Sequence, residues 1–225
     1  MSENELFSWE NFYASGKVSE YPDIRVVRYF KSRPGPHNEV VLDLGCGNGR
    51  NAIAIAKMGY RVLAVDRSTT ALRLLADERR KQRVSNPMMA VACDLRDPTM
   101  VGKMPRLADK ASYVLIYGVL DYFSASEALM LLHTIRQFCW KGAKLLIAAR
   151  GELDFSYDNP NRSDGFMELH RRNAEDWTIF FEVCQSWGGR VTVDSRLETF
   201  QSIPVGGVSG VLLKEHLLFI EAEAL

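Results

Sequence analysis

Short apolar runs alternate with amphipathic stretches from residue 39 onward, as in strands joined by helices. Buried strands of a parallel sheet read as continuous apolar runs. Five such runs are present: Val40–Leu44, Arg61–Asp66, Met88–Cys93, Tyr113–Tyr117 and Lys144–Ala149. The stretches between them predict helices at Asn48–Met58, from Ser68 or Thr69 to about Arg83, and at Ser124–Trp140, with Lys141 in the last turn and Gly142 as C-cap. This alternation predicts a parallel sheet with helices on both faces.

The final third of the chain has a different pattern. Residues 151–174 are polar and predict a loop, and Glu175–Trp187 predicts a helix. Arg190–Phe200 alternates apolar and polar residues, and Val211–Ile220 is an apolar run. Because no helix is predicted between these last two strands, they should pair in an antiparallel manner at one edge of the sheet.

The first 38 residues predict a helical cap. Apolar residues recur at helical spacing over Pro22–Phe30, and two prolines and a glycine within Ser32–Asn38 end that helix. We therefore predict one α/β domain at residues 39–225, preceded by a cap segment at residues 1–38. The fold class is a three-layer, doubly wound sheet, mostly parallel with an antiparallel last strand.

Composition excludes several classes of protein. The 225 residues include 28 Lys+Arg and 28 Asp+Glu, so the formal net charge is zero and no nucleic-acid partner is expected. No apolar run is long enough to span a membrane, and Met1–Glu5 lacks a signal-peptide pattern. The four cysteines form no Cys-x-x-Cys pair, so we expect buried free thiols, no metal site and a cytoplasmic protein.

A glycine-rich turn carries the strongest chemical signal. Asp43–Gly49 follows a predicted strand and opens a helix, which is the position of a nucleotide-type binding loop. The dinucleotide fingerprint needs a third glycine where this chain has Arg50. Asp43 is poorly placed for a pyrophosphate and suits a cationic ligand that offers hydrogen-bond donors.

Two acidic residues at later strand ends extend this site. Asp66 lies about 20 residues past the first glycine, where a carboxylate accepts hydrogen bonds from ribose hydroxyls. Asp94 ends the third strand and suits an adenine amino group. The alternative for each is a helix-capping or loop acid. Together with the glycine turn, they indicate an adenosine-type ligand.

These residues resemble the class I, seven-stranded, Rossmann-like S-adenosylmethionine-dependent methyltransferases, over about residues 39–220. The likeness lies in the first motif at Asp43–Gly49, the acids Asp66 and Asp94, and the segment Leu115–Leu120 after the fourth strand. It implies S-adenosyl-L-methionine as cofactor and S-adenosyl-L-homocysteine as product. The implied cofactor-binding residues are Trp9, Tyr13, Asp43, Gly45, Cys46, Gly47, Asn48, Gly49, Asp66, Arg67, Asp94, Leu95 and Tyr117.

The resemblance assigns roles within this set. The glycine loop cradles the methionine part, Asp43 takes its ammonium, and Asp66 holds the ribose. Arg67 and Leu95 flank the adenine. Trp9 and Tyr13 belong to a cap like that of small-molecule methyltransferases and would close over the cofactor, although hydrophobic anchoring of the cap is an equal alternative.

Few groups suit the transfer step. Methyl transfer from a sulfonium needs proximity and orientation, and only some acceptors need a base. The catalytic candidates are Asp121, which follows the fourth strand, and His170 in the polar loop. Tyr117, Tyr122 and His170 are candidates for acceptor binding. The alternatives are ordinary packing for the two tyrosines, a solvated loop histidine for His170, and a loop or cap acid for Asp121. The cap, residues 151–174 and residues 201–210 are expected to form the substrate wall.

The sequence therefore predicts a methyltransferase for a small molecule such as a sugar or another metabolite, as a monomer or homodimer. Three alternatives stay open. The acceptor is a protein or RNA, the chain binds S-adenosylmethionine without turnover, or it is a nicotinamide dehydrogenase, which Arg50 and Asp43 disfavour.

Overall fold

The computed structural model of the chain describes residues 3–16, 18–33, 39–105, 111–154, 170, 172–201 and 212–225. The strands in these ranges are β1 (Val40–Leu44), β2 (Arg61–Asp66), β3 (Met88–Ala92), β4 (Ala111–Tyr117), β5 (Cys139–Arg150), β6 (Val191–Gln201) and β7 (Leu212–Glu223). The helices are α1 (Glu3–Ala14), α2 (Ile24–Lys31), α3 (Arg50–Lys57), α4 (Thr69–Lys81), α5 (Met100–Lys103), α6 (Ala125–Arg136) and α7 (Ala174–Val183). A 3-10 turn at Leu120–Tyr122 follows β4.

The strands form one sheet in the order β3-β2-β1-β4-β5-β7-β6. Neighbouring strands from β3 to β5 are parallel, whereas β7 is antiparallel to both β5 and β6. The predicted three-layer fold and antiparallel last pair are confirmed. The strand order reverses between β1 and β4, which is where open α/β sheets bind ligands, outside the carboxyl ends of the strands.

Each face of the sheet buries its own apolar cluster. On one face, α6 and α7 contribute Leu131, Ile135 and Trp177. On the other face, α2 contributes Val26 and Phe30 to a cluster that also includes α3 and α4. The second half of the predicted cap segment is therefore part of the domain core.

Local sequence signals explain where several helices begin. The Ser68 side chain accepts a hydrogen bond from the Ala71 amide and caps α4. Ser124 with Glu127, and Asn173 with Asp176, form capping boxes at the starts of α6 and α7. Such caps satisfy amides that have no partner inside the helix.

The predicted end of the helix from Ser124 was wrong. This helix ends at Arg136, and Cys139 already belongs to β5. Ala111 pairs with Cys139 whereas Tyr113 pairs with Lys144, so β5 bulges between these pairs. Gly142, predicted as a C-cap, lies in this bulge with φ of +78°. A bulge interrupts the alternation of inward and outward side chains that identifies a strand. For this reason the sequence pattern predicted that the helix continues through the start of β5.

The predicted helix Glu175–Trp187 was also too long. It ends at Val183, and the chain then turns so that the Trp187 ring is fully buried. The Trp187 indole Nε1 donates to Leu132 O at 2.9 Å. Burial of this large ring overrides the local helical pattern.

The structure also bears on the cysteines and on membrane-spanning helices. All four cysteines are buried and none forms a disulfide, as predicted. Among the helices of the described ranges, none combines the length and the apolar character needed to cross a bilayer.

Candidate functional site

The loop between β1 and α3 has a backbone that favours glycine. Gly45, Gly47 and Gly49 have φ of +72°, +56° and +79°. A Cβ at Gly47 would lie 2.6 Å from the Tyr13 hydroxyl oxygen, and one at Gly45 would overlap Val119 Cγ2. Positive φ is easy for glycine alone among common residues. The loop is therefore a bare main-chain surface with side chains packed closely against it.

Hydrogen bonds tie this loop to the carboxyl end of β2. The amides of Gly45 and Cys46 both donate to Val65 O, at 2.7 and 3.0 Å. The Gly47 amide donates to Asp66 Oδ2 at 2.8 Å. The first half of the loop is thus held by β2.

Asp43 has an unusual environment at the end of β1. Its side chain is 2% exposed, and Oδ2 has no hydrogen-bond partner among the residues that the structure describes. Burial, together with the negative charge of Asp66, raises the pKa of Asp43 to about 7. A buried carboxylate oxygen without a partner is costly. It is therefore a favourable place for a ligand that brings a positive charge and N–H donors.

Asp66 connects two parts of the site. Its Oδ2 accepts the Gly47 amide, and its Oδ1 accepts the Ser68 amide at 2.9 Å. Burial raises its pKa, although these hydrogen bonds oppose the shift. Because a carboxylate offers about four lone-pair sites, Asp66 retains capacity for ligand hydroxyls.

The predicted adenine-side residues lie together after β2 and β3. Arg67 Nη1 is 3.9 Å from Asp94 Oδ2, and Asp94 Oδ1 accepts the Arg96 amide at 3.0 Å. Leu95 is partly buried against the apolar cluster of the α6 face. The structure thus brings Arg67, Asp94 and Leu95 into one corner.

Helix α1 lies over the glycine loop. The Tyr13 ring stacks on Trp9 with centroids 6.1 Å apart, and its hydroxyl approaches Gly47. Trp9 in turn meets Tyr122 edge to face at 5.4 Å. Burial raises the pKa of Tyr13, and the charge of Asp66 adds to this effect. The two cap aromatics therefore bridge the loop after β1 and the turn after β4.

Sequence reasoning missed the role of the residues just before α2. Asp23 caps α2 and accepts the Tyr117 hydroxyl at 2.7 Å, while its own amide donates to Asn51 Oδ1 at 2.9 Å. Burial acts to raise its pKa, but hydrogen bonds from Arg25 and Tyr117 lower the pKa of Asp23 to about 2. Burial and the same contact raise the pKa of Tyr117 to about 12.

Sequence reasoning used Arg50 only as a departure from the dinucleotide fingerprint. In the structure its side chain lies beside the glycine loop. Its Nη1 donates to Ser19 Oγ at 3.2 Å and to Tyr21 O at 3.0 Å. Its guanidinium lies 5.0 Å from the centroid of the Tyr117 ring. The Asn48 amide Nδ2 also donates to Ser19 O, at 2.9 Å. These contacts hold residues 18–23 across the glycine loop.

The result is a crevice of about 230 Å³ between α1, residues 18–19 and the ends of β1 and β4. Its lining includes Asp43, Gly45, Gly47, Arg50, Tyr13 and Tyr117. The carboxyl group of Asp43, with its unpartnered oxygen, and the guanidinium of Arg50 thus line the same crevice as the glycine backbone.

The two catalytic candidates lie beside each other, although Asp121 follows β4 in the chain and His170 follows β5. Asp121 is buried, and it accepts the Arg150 amide at 2.9 Å and Arg150 Nη1 at 3.2 Å. The His170 amide donates to Asp121 O at 2.7 Å. Burial, opposed by Arg150, raises the pKa of Asp121 to about 6. Tyr122 follows Asp121 and contacts Trp9. Of the expected substrate wall, residues 155–169, 171 and 202–210 lie outside the described residues.

Comparison with known proteins agrees with this geometry. Residues 41–142 match the model of a family described as methyltransferase domain. A solved structure of magnesium protoporphyrin IX methyltransferase from Synechocystis PCC 6803, with bound SAH (S-adenosylhomocysteine), superposes with a TM-score of 0.60 at 13% identity. The alignment covers 99% of this chain and 86% of that chain, and this likeness concerns the fold.

Two curated relatives match parts of the chain. Cypemycin N-terminal methyltransferase of Streptomyces sp is 38% identical over 78 residues, which is 35% of this chain and 30% of that protein. EEF1A lysine methyltransferase 2 of Mus musculus is 27% identical over 114 residues, which is 49% of this chain and 47% of that protein. The chain thus spans less than half the length of both relatives.

The sheet order and the solved relatives show that the chain has the fold of class I methyltransferases. The part of the chain that matches the methyltransferase domain model, residues 41–142, contains the glycine loop, Asp66 and Asp94.

Proposed function

We propose that the chain is an enzyme that transfers the methyl group of S-adenosylmethionine to a small-molecule acceptor, such as a sugar or another metabolite. One observation carries the cofactor part of this proposal. The unpartnered buried oxygen of Asp43 lies in the same crevice as Arg50 and the positive-φ glycines. An amino-acid moiety, with its ammonium and carboxylate, complements those two charges.

The cofactor contacts follow from this arrangement. Asp43 accepts from the ammonium of the methionine part, which lies along Gly45–Gly49. Arg50 binds the carboxylate, since its described hydrogen bonds go to neutral oxygens and leave its charge available. Asp66 accepts from the ribose hydroxyls.

The remaining cofactor contacts belong to the adenine end. Asp94 accepts from the amino group, and Arg67 and Leu95 flank the ring. These three residues lie together after β2 and β3, next to Asp66 in the sheet order.

Replacement of Asp66 by alanine is expected to weaken S-adenosylhomocysteine binding by about 1–3 kcal/mol, because the ribose hydroxyls lose a charged acceptor. The melting temperature should also fall, since the Gly47 and Ser68 amides lose their partner. Calorimetric titration and a thermal melt check both effects. Asp77→Ala, at an exposed acid of α4, is the control. Unchanged affinity in a folded Asp66→Ala protein would remove the ribose assignment.

The chain contributes orientation and exclusion of water. The bound cofactor supplies an activated methyl group on its sulfonium. Trp9 and Tyr13 cover the glycine loop, while Tyr117 is held in one position by Asp23. Fixing the two reactants in line is a large part of what such a reaction requires.

The acceptor side is proposed to lie beyond β4, where Tyr117 and Tyr122 shape the pocket. Asp121 and His170 are the candidates for taking a proton from the acceptor. A pKa near 6 suits a base at neutral pH. Asp121 is bound through both oxygens to Arg150, so it acts as a base only when that contact loosens. These assignments stay predictions.

A small acceptor is favoured over a nucleic acid by the charge of the chain. The chain carries no net positive charge that would attract nucleic acid.

A thermal-shift titration with S-adenosylmethionine, S-adenosylhomocysteine and NAD tests the cofactor. At 100 times its dissociation constant, a ligand of the native state adds about 2.7 kcal/mol. For a chain of this size, that corresponds to a rise of about 5–11 °C in melting temperature. We expect this rise with both adenosyl ligands and none with NAD. The absence of an adenosyl shift, repeated by calorimetry, would overturn the proposal.

An amine on a polypeptide is the second candidate acceptor. The two curated relatives are named for an N-terminal and a lysine methyltransferase, and both names denote transfer to polypeptide amines. Release of S-adenosylhomocysteine can be measured with sugars and metabolites in one arm and short peptides with a free N-terminus or lysine in the other. Turnover confined to the peptide arm would replace the small-molecule proposal.

A further inference from the structure

The carboxylate of Glu10, on α1, lies on the amino end of α4. Its Oε1 accepts the Thr69 amide at 2.7 Å and the Thr69 hydroxyl at 3.3 Å, and its Oε2 accepts the Thr70 amide at 3.1 Å. The first amides of a helix have no partner within it, and the helix dipole favours negative charge there. The contact joins residues about sixty positions apart in the chain.

This contact is not needed to start α4. Ser68 is already the N-cap, and its side chain accepts the Ala71 amide. Glu10 accepts hydrogen bonds from the next two amides, those of Thr69 and Thr70, which the Ser68 side chain does not bind. The contact therefore matters mainly for α1. It attaches this helix, through a charged group, to the chain segment that carries Asp66.

The attachment fixes Tyr13, which lines the crevice, and Trp9, which stacks on Tyr13. Trp9 precedes Glu10 in α1, and Tyr13 lies one turn later on a neighbouring part of the helix surface. Trp9 contacts Tyr122, and the Tyr13 hydroxyl faces Gly47. The position of Glu10 thus sets the positions of the Trp9 and Tyr13 rings.

The segment that follows α1 has empty space on both sides. Val18, Asn48 and Arg50 line both the crevice of about 230 Å³ and an outer cavity of about 320 Å³ between α3 and α4. Gly16, with φ of +69°, lies at the end of α1. The two cavities leave room for α1 and this segment to shift once their contacts with Tyr122, Asn48 and Arg50 open.

We propose that Glu10 is a positioning residue that fastens α1 over the bound cofactor, so that the cofactor leaves when the contact with α4 opens. This inference rests on the proposed function, because it assumes that S-adenosylmethionine and its product occupy the crevice. Glu10 does not line the crevice, and in this proposal it acts through Trp9 and Tyr13.

Glu10→Gln tests the role with little change of shape. The amide has one acceptor oxygen and no charge, so the attachment to α4 weakens. We expect the dissociation rate of S-adenosylhomocysteine, measured by surface plasmon resonance, to rise about tenfold. The association rate should not fall, and the melting temperature of the ligand-free protein should fall by no more than about 6 °C. Glu182→Gln, at an exposed position of α7, is the matched control.

Two further readouts separate positioning from general stability. Thr69→Ala removes the weakest of the three hydrogen bonds to Glu10 and should raise the dissociation rate by a smaller factor. Hydrogen exchange of the Thr69 and Thr70 amides should slow when S-adenosylhomocysteine binds the wild type. The same ligand should give less slowing in Glu10→Gln.

The outcomes distinguish the two proposals. If the wild type binds S-adenosylhomocysteine and Glu10→Gln releases it at the wild-type rate, the cofactor assignment stands and the positioning role is wrong. If the variant loses stability without a change in dissociation rate, the contact is merely structural. If the wild type binds no adenosyl ligand, the proposed function fails and this inference fails with it.

Discussion

Replacement of Asp43 by asparagine is expected to stabilise the ligand-free protein at pH 8 and to remove most of its affinity for S-adenosylmethionine. At that pH the wild type holds a buried carboxylate with an unpartnered oxygen. Removing such a charge should raise the free energy of unfolding by about 1–3 kcal/mol. The ammonium of the cofactor then loses its charged acceptor, which should weaken binding by about 10- to 100-fold.

The direction of the pKa shift of Asp43 determines how the stability difference between Asp43→Asn and the wild type depends on pH. The pKa of Asp43 is raised in the folded state, to about 7 from an ordinary value of 3.8. The folded state therefore binds the proton more tightly than the unfolded state does, and the wild type gains stability as the pH falls from about 7 towards 4. The advantage of Asp43→Asn should be largest above pH 7 and shrink steadily below it.

Thermal melts at pH 8, 6 and 5 and calorimetric titration with S-adenosylhomocysteine check these expectations. Asp77→Asn is the control, because this acid of α4 is exposed and should affect neither quantity by much. A variant that binds the cofactor as tightly as the wild type would refute the ammonium assignment. A variant that is less stable at every pH would show that Asp43 is needed for the fold itself.

Replacement of Gly45 by alanine should lower both stability and cofactor affinity. Its φ of +72° places an L residue in the left-handed region, which costs about 1–2 kcal/mol. The added methyl would overlap Val119 Cγ2, and such overpacking costs about 1–3 kcal/mol. Together these effects predict a fall of about 5–20 °C in melting temperature. The loop must also shift, which should weaken binding of the methionine part in the proposed cofactor assignment.

A second substitution separates the two causes. In Gly45→Ala/Val119→Ala the overlap with Val119 is removed, while the backbone strain remains. The double variant should melt at a higher temperature than Gly45→Ala, with Val119→Ala alone as the reference for the lost packing. If the double variant is no better than Gly45→Ala, close packing against Val119 is not the cause of the loss.

The sequence predicted the centre of the sheet well because each buried strand is a short, continuous apolar run. Observed β1 and β2 have the predicted bounds, and the pair of β6 with β7 is antiparallel as expected. Prediction failed where tertiary packing decides. The bulge that contains Gly142 and the turn that buries Trp187 both interrupt local patterns.

The same distinction applies to the site. Asp43, Asp66 and the glycines belong to one local motif with a characteristic spacing, so the sequence indicates them directly. The hydrogen bond from Tyr117 to Asp23 joins residues 94 positions apart, and that from Thr69 to Glu10 joins residues 59 apart. Spacing along a single sequence carries no signal for such pairs. They depend on where α1 and α2 come to lie.

The two oxygens of Asp66 have a consequence for how the halves of the cofactor are recognised. One oxygen anchors the glycine loop through Gly47, and the other anchors the start of α4 through Ser68. In the proposed assignment, the subsites for the amino acid and for the nucleoside therefore share a single carboxylate. We expect a fragment that fills one subsite to change the affinity for a fragment of the other, because both contact the same side chain.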